Sequence, residues 1–125
     1  GTALRVMQKI DYAEILYKIY GSPKEIRKEF IKEALDWEYY PVYKNNSIAA
    51  LIMTKGSEVH CGCFPEYKGR WFPLKRVQRI FKELLLKYGK ITTSTFEESR
   101  KFVERLGFKE THKIKDVIHY IKTEV

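Results

Sequence analysis

Glu58 and His60 stand two residues apart in a short run of strand-forming residues, Val59-His60-Cys61-Gly62-Cys63-Phe64. Alternate residues of a strand share a face, so this spacing presents a carboxylate and an imidazole together. Either group is a candidate general base for an ammonium proton, and imidazole is the side chain that ordinarily titrates nearest neutrality. The competing reading is structural: a half-buried strand histidine bonded to a neighbour, beside an exposed strand-end carboxylate. Further on, Thr92-Thr93-Ser94-Thr95 offers a line of hydroxyls. Ser94 and Thr95, nearest the carboxyl end, are the ones placed to hold a substrate, although such residues are also simply good strand formers.

Between these two runs lies Pro65-Glu66-Tyr67-Lys68-Gly69-Arg70-Trp71-Phe72, which leads into a long amphipathic segment. A basic, glycine-containing loop between a strand and a helix is a cradle for pyrophosphate, because backbone N–H groups and the helix N-terminus both face the anion. Lys75, Arg79 and Lys82 recur at helical spacing beyond it, as a further anion surface or a solvated face. Metal chemistry is not expected. His60 alternates with Cys61, so it cannot join both Cys61 and Cys63 on one ion, and His112 and His119 lie far off in sequence. Each cysteine reads as a small buried hydrophobe; the two cannot easily form a disulfide at this spacing, which favours a reducing compartment.

The elements that must position these groups follow from period and punctuation. Leu4 to Ile10 alternates as a first strand, and Asp11 caps a helix ending at Gly21. Ser22-Pro23-Lys24-Glu25 starts a second helix, with Ile26, Phe30, Ala34 and Trp37 on one stripe. Tyr39–Tyr43, a turn at Asn45-Asn46, Ser47–Thr54 and Val59–Phe64 then form an antiparallel meander. Trp37, Tyr39, Tyr40 and Tyr43 are either core packing or the lining of an acceptor cleft. The third helix carries Leu74, Val77, Phe81, Leu84, Leu85 and Tyr88 inward and stops at Gly89. Lys90–Thr95 is the next strand, parallel to Val59–Phe64 because a helical crossover joins them. Glu97–Leu106 is the last helix, Gly107 its terminator, and a hairpin turns about Lys115-Asp116.

The chain of 125 residues is read as one domain with a substantial core. Its 24 Lys+Arg against 16 Asp+Glu give a formal charge of +8, which favours an anionic partner: a phosphorylated cofactor, nucleic acid or an acidic protein. No apolar run approaches the ~20 residues of a membrane span, and no leader opens the chain, so a cytoplasmic place and no membrane partner are expected. Gly1 in place of Met reads as processing or a cloning scar.

The order β–α–α–β–β–β–α–β–α–β–β resembles a complete domain of the GNAT (GCN5-related N-acetyltransferase-like) superfamily. The resemblance implies a mixed α+β fold over residues 1–125. Its central sheet has six to seven strands, its helices number about four, and its fourth and fifth strands, Val59–Phe64 and Ile91–Thr95, splay apart. It implies acetyl-CoA as cofactor and an N-acetyltransferase acting on a primary amine. Glu58, His60 and Ser94 are then the catalytic candidates, and Cys63, Phe64, Lys68, Gly69, Arg70, Trp71, Phe72 and Thr95 the cofactor-binding ones. Two family motifs are altered. In the loop pattern [Q/R]-x-x-G-x-[G/A], Lys68, Trp71 and Pro73 stand at the three marked positions. In the last helix Phe96, Ser99 and Val103 occupy the positions of Asn, Ala and the Tyr that protonates the CoA thiolate, while Arg105-Leu106-Gly107-Phe108 matches its end. The string Phe64-Pro65-Glu66-Tyr67-Lys68-Gly69-Arg70 also resembles small GNAT-like proteins of tailed phages. That likeness implies an alternative: a catalytically degenerate protein of virion assembly or host interaction, located in host cytoplasm or virion. Binding or modification of nucleic acid is the third expectation, prompted by the charge.

Overall fold

A computed structural model describes residues 6–69 and 72–125. In chain order the elements are α1 (Lys9–Tyr20), α2 (Arg27–Ala34), β1 (Glu38–Lys44), β2 (Ser47–Lys55), β3 (Glu58–Cys63), α3 (Leu74–Tyr88), β4 (Ile91–Thr95), α4 (Arg100–Arg105), β5 (Lys109–Ile114) and β6 (Val117–Lys122). The six strands form one mixed sheet in the order β1-β2-β3-β4-β6-β5. Two compact units make up the chain, Gly1–Met53 with Cys61–Trp71, and Thr54–His60 with Phe72–Val125.

In the first unit α1 packs on α2, and Ala13, Leu16, Ile31, Ala34, Leu51 and Met53 form its core. The expected N-terminal strand is not found over its described part. Val6–Gln8 is irregular, and Lys9 and Ile10 are already helical. The cause is a capping box one turn earlier than expected: Gln8 is the N-cap, and Asp11, at N3, accepts the Gln8 backbone N–H at 2.8 Å. Gly21, at φ 61°, ends α1 as expected. Pro23 opens the next helical stretch through a 3₁₀ turn, Lys24–Ile26, rather than Ser22 capping it directly. Ile26 consequently stays exposed, and Ile31 takes the core position. Asn45 and Asn46 both adopt positive φ, the geometry a two-residue hairpin requires, and join β1 to β2. Ala49 to Met53 of β2 are all buried, so both faces of that strand are covered.

In the second unit α3 packs on β4, burying Val77, Ile80, Phe81 and Leu84. Leu74 and Tyr88, expected inward, are exposed, and Ile80 lies inward instead. The buried stripe is thus centred on the middle turns, and the helix ends lie beyond it. Gly89 and Gly107 stop α3 and α4 in positive φ, and Lys115, at φ 54°, turns β5 into β6. Pairing of β4 with β6 runs through five register pairs, from Ile91↔Lys122 to Thr95↔Ile118. The parallel pairing of β3 with β4 has one among the described residues, Glu58↔Thr92. Thr92 N–H donates to the Ser57 carbonyl at 2.9 Å. One residue on, the Thr93 hydroxyl reaches the Val59 carbonyl at 2.6 Å, so a side chain serves a backbone acceptor where the ladder gives out.

Candidate functional site

Register decides which groups share a face. Glu58 opposes Thr92, so His60 and Ser94, each two residues on, lie on the same side of the sheet. Ser94 opposes His119, and His119 opposes His112. One face of the second unit therefore carries Glu58, His60, Ser94, His119 and His112 in a row across β3, β4, β6 and β5. The opposite face carries the buried Val59, Ile91, Ile118 and Tyr120.

Glu58 and His60 are in direct contact, with His60 Nε2 2.6 Å from Glu58 Oε2. The imidazole is 24% exposed and the carboxylate 43%, so the pair is accessible without being fully solvated. A carboxylate bonded to one ring nitrogen fixes the orientation of the ring. Ser94 and Thr95 are half-buried on β4. Ser94 shares the Glu58–His60 face; Thr95 points the other way, opposite Ile118.

Cys63, Phe64, Lys68 and Gly69 belong to the first unit. Phe64 continues extended from β3, and its N–H donates to the Ala49 carbonyl at 3.0 Å. Pro65–Tyr67 is a 3₁₀ turn, closed by the Tyr67 and Lys68 N–H groups on the Phe64 and Pro65 carbonyls. Two amides of the loop are therefore committed to its own fold. Lys68 and Gly69 are exposed, and Gly69 takes φ 77°, a conformation that costs a side-chain-bearing residue energy. Burial raises the Cys63 thiol above its ordinary range, and the Lys68 charge offsets part of that rise. A thiol held protonated is a poor acyl acceptor, so Cys63 reads as a wall rather than a nucleophile. Arg70 and Trp71 lie outside the described residues.

Phe72 belongs to the second unit and meets Phe102 of α4 edge-on, with ring centroids 4.8 Å apart. The following helix, α3, has Pro73 at its N-cap position, no side-chain cap and no acid in its first turn. Lys75, Arg79 and Lys82 are exposed along it. Among the aromatic residues considered for an acceptor cleft, Tyr39 has a structural task. Its hydroxyl donates to the Ala34 carbonyl at the end of α2, and its ring stacks on Tyr12.

Sequence reasoning missed the pairing of His112 with His119. Their rings stack with centroids 4.4 Å apart and planes 2° from parallel. Their placement on either side of the Lys115-Asp116 turn was the available signal. Among the described residues no group of three or more His, Cys, Asp or Glu side chains converges on a point. No helix among them is long and apolar enough to cross a membrane.

No family model matches the chain, and no curated protein matches it. Solved structures do. A variant of spermidine N-acetyltransferase SpeG from Vibrio cholerae superposes with TM-score 0.71 at 16% identity, over 98% of this chain and 95% of that one. The PaiA N-acetyltransferase of Thermoplasma acidophilum, in complex with coenzyme A, gives TM-score 0.67 at 14% identity, over 94% of this chain and 96% of that one. At such identities the likeness is one of architecture, and it spans nearly all of each chain. The chain shares the fold of these N-acetyltransferases.

Proposed function

We propose that the protein is a single-domain N-acetyltransferase that moves an acetyl group from acetyl-CoA to a primary amine. The contact of His60 with Glu58 is the observation that carries this reading. Amine attack on a thioester needs a free lone pair on nitrogen, so an ammonium acceptor must first lose a proton. His60 takes that proton, its ring held in place by Glu58. Ser94, on the same face, orients the acceptor by hydrogen bonding. The coenzyme A bound to the structurally similar PaiA supports acyl-CoA as the donor.

In this reading the cofactor-binding residues are those that the family resemblance implies. The uncapped start of α3, free of acids, suits a pyrophosphate. Acetyl-CoA consumption over a panel of primary amines tests the proposal. Wild-type protein transfers to at least one amine, and His60→Ala lowers kcat/KM by ~10²–10⁴-fold, the usual worth of a positioned base. Equal rates for His60→Ala and wild type remove His60 from the chemistry, and no transfer to any amine overturns the reading.

One observation favours a second reading. Val103, at the position the family resemblance gives to a thiolate-protonating Tyr, is buried and apolar. A protein that kept this fold for binding, in virion assembly or at a host target, would show that loss, and it would consume no acetyl-CoA.

A further inference from the structure

His112 and His119 owe their pairing to the two-residue turn at Lys115-Asp116, whose register runs Ile114↔Val117, Lys113↔Ile118 and His112↔His119. A β-bulge between Glu110 and His112 then sets Thr111 out of the ladder beside this pair. The two imidazoles then stack on the polar face of the hairpin, with His112 exposed and His119 half-buried.

The Thr111 hydroxyl orients the His112 ring. Its hydroxyl carries one proton, and that proton goes to the His119 carbonyl at 3.2 Å. The same oxygen lies 2.9 Å from His112 Nδ1, so this contact is a ring N–H donating to the hydroxyl. In the neutral ring His112 Nε2 therefore bears a lone pair. A histidine that donates one ring nitrogen to a fixed acceptor and presents the other as a lone pair is arranged as metal-ligating histidines are. Cross-strand partners lie within ~4.5–5.5 Å at Cβ, so side-chain rotation alone brings two imidazole nitrogens to the ~2.0–2.1 Å that zinc needs.

We propose that His112 and His119 chelate a divalent transition metal, of the zinc class that imidazole nitrogen prefers. Two protein nitrogens leave the remaining positions to water or a small ligand. The site is therefore labile, with Thr111 as its positioning residue. It departs from the expectation of no metal drawn from sequence, and it does not depend on acetyl transfer.

Calorimetric titration of the full-length, tag-free protein with zinc chloride tests it, alongside long-range ¹H–¹⁵N spectra of the imidazoles. The expected result is one saturable site, with His112→Ala and His119→Ala each weakening affinity at least tenfold. Thr111→Val, which keeps both ligands, weakens it by ~10-fold through loss of ring orientation. Zinc also shifts the nitrogen signals of both histidines, while His60→Ala leaves the affinity unchanged. Both histidines are on the surface of the hairpin, and far-UV circular dichroism confirms that the variants fold. Absence of saturable heat up to ~1 mM zinc overturns the proposal. So does wild-type affinity in either histidine variant, because chelation needs both rings; zinc held elsewhere, at Cys61 or at Glu58 and His60, is detected that way.

Discussion

At the scale of single residues, Glu58 and His60 were readable as a pair because a strand's period of two leaves no freedom about which face they share. Their contact at 2.6 Å turns that shared face into a bond. Tyr120 was not readable in the same way. Its side chain is 1% exposed, and among the described residues its hydroxyl has no hydrogen-bond partner. Burial raises the phenol above its ordinary range, as expected where a charged oxygen would be poorly solvated. An unsatisfied buried hydroxyl costs stability, so its removal is cheap. Tyr120→Phe is expected to leave unfolding free energy unchanged or to raise it by up to about 1 kcal/mol. Urea denaturation gives the answer: a loss above 1 kcal/mol would mean that the hydroxyl is satisfied in solution.

At the scale of elements, Gly62 explains the Cys61-Gly62-Cys63 string better than any thiol chemistry does. A Cβ at Gly62 would lie 3.3 Å from side-chain carbons of Leu16, Ile19 and Tyr20, so a methyl group there requires these neighbours to give. Gly62→Ala is expected to destabilise the protein by ~1–3 kcal/mol through overpacking. A denaturation midpoint equal to wild type would show that α1 gives way without cost. Turns and helix stops were legible for a related reason. Asn45-Asn46, Gly89 and Gly107 occupy backbone conformations that few residues tolerate, and their identity announces them. Helix starts were less legible. Gln8 and Asp11 form a reciprocal cap that competes with strand alternation over the same residues, and local hydrogen bonding prevails. The β5 bulge was invisible because a register shift leaves no mark on composition. The His112–His119 pair lies on the turn side of the bulge, and the Lys115-Asp116 turn sets it.

At the scale of the whole molecule, the parallel direction of β3 and β4 followed from element order, since a helix joining two strands of one sheet sets them parallel, whereas the place of β6 between β4 and β5 did not. The candidate site was legible only in part. Glu58, His60 and Ser94 share a face, as strand period requires, while the contact of Phe72 with Phe102 could not be read from spacing. The formal charge of +8 is consistent with a phosphorylated ligand but names none. The central claim is that this fold still serves acyl-CoA, although Trp71 and Pro73 stand where the resemblance places small residues. Calorimetric titration with acetyl-CoA tests it most directly. One saturable site per chain, with a micromolar dissociation constant that rises at least tenfold in Lys68→Ala, is the predicted result. No binding up to ~1 mM, equivalent to less than about 4 kcal/mol of association free energy, would contradict the account.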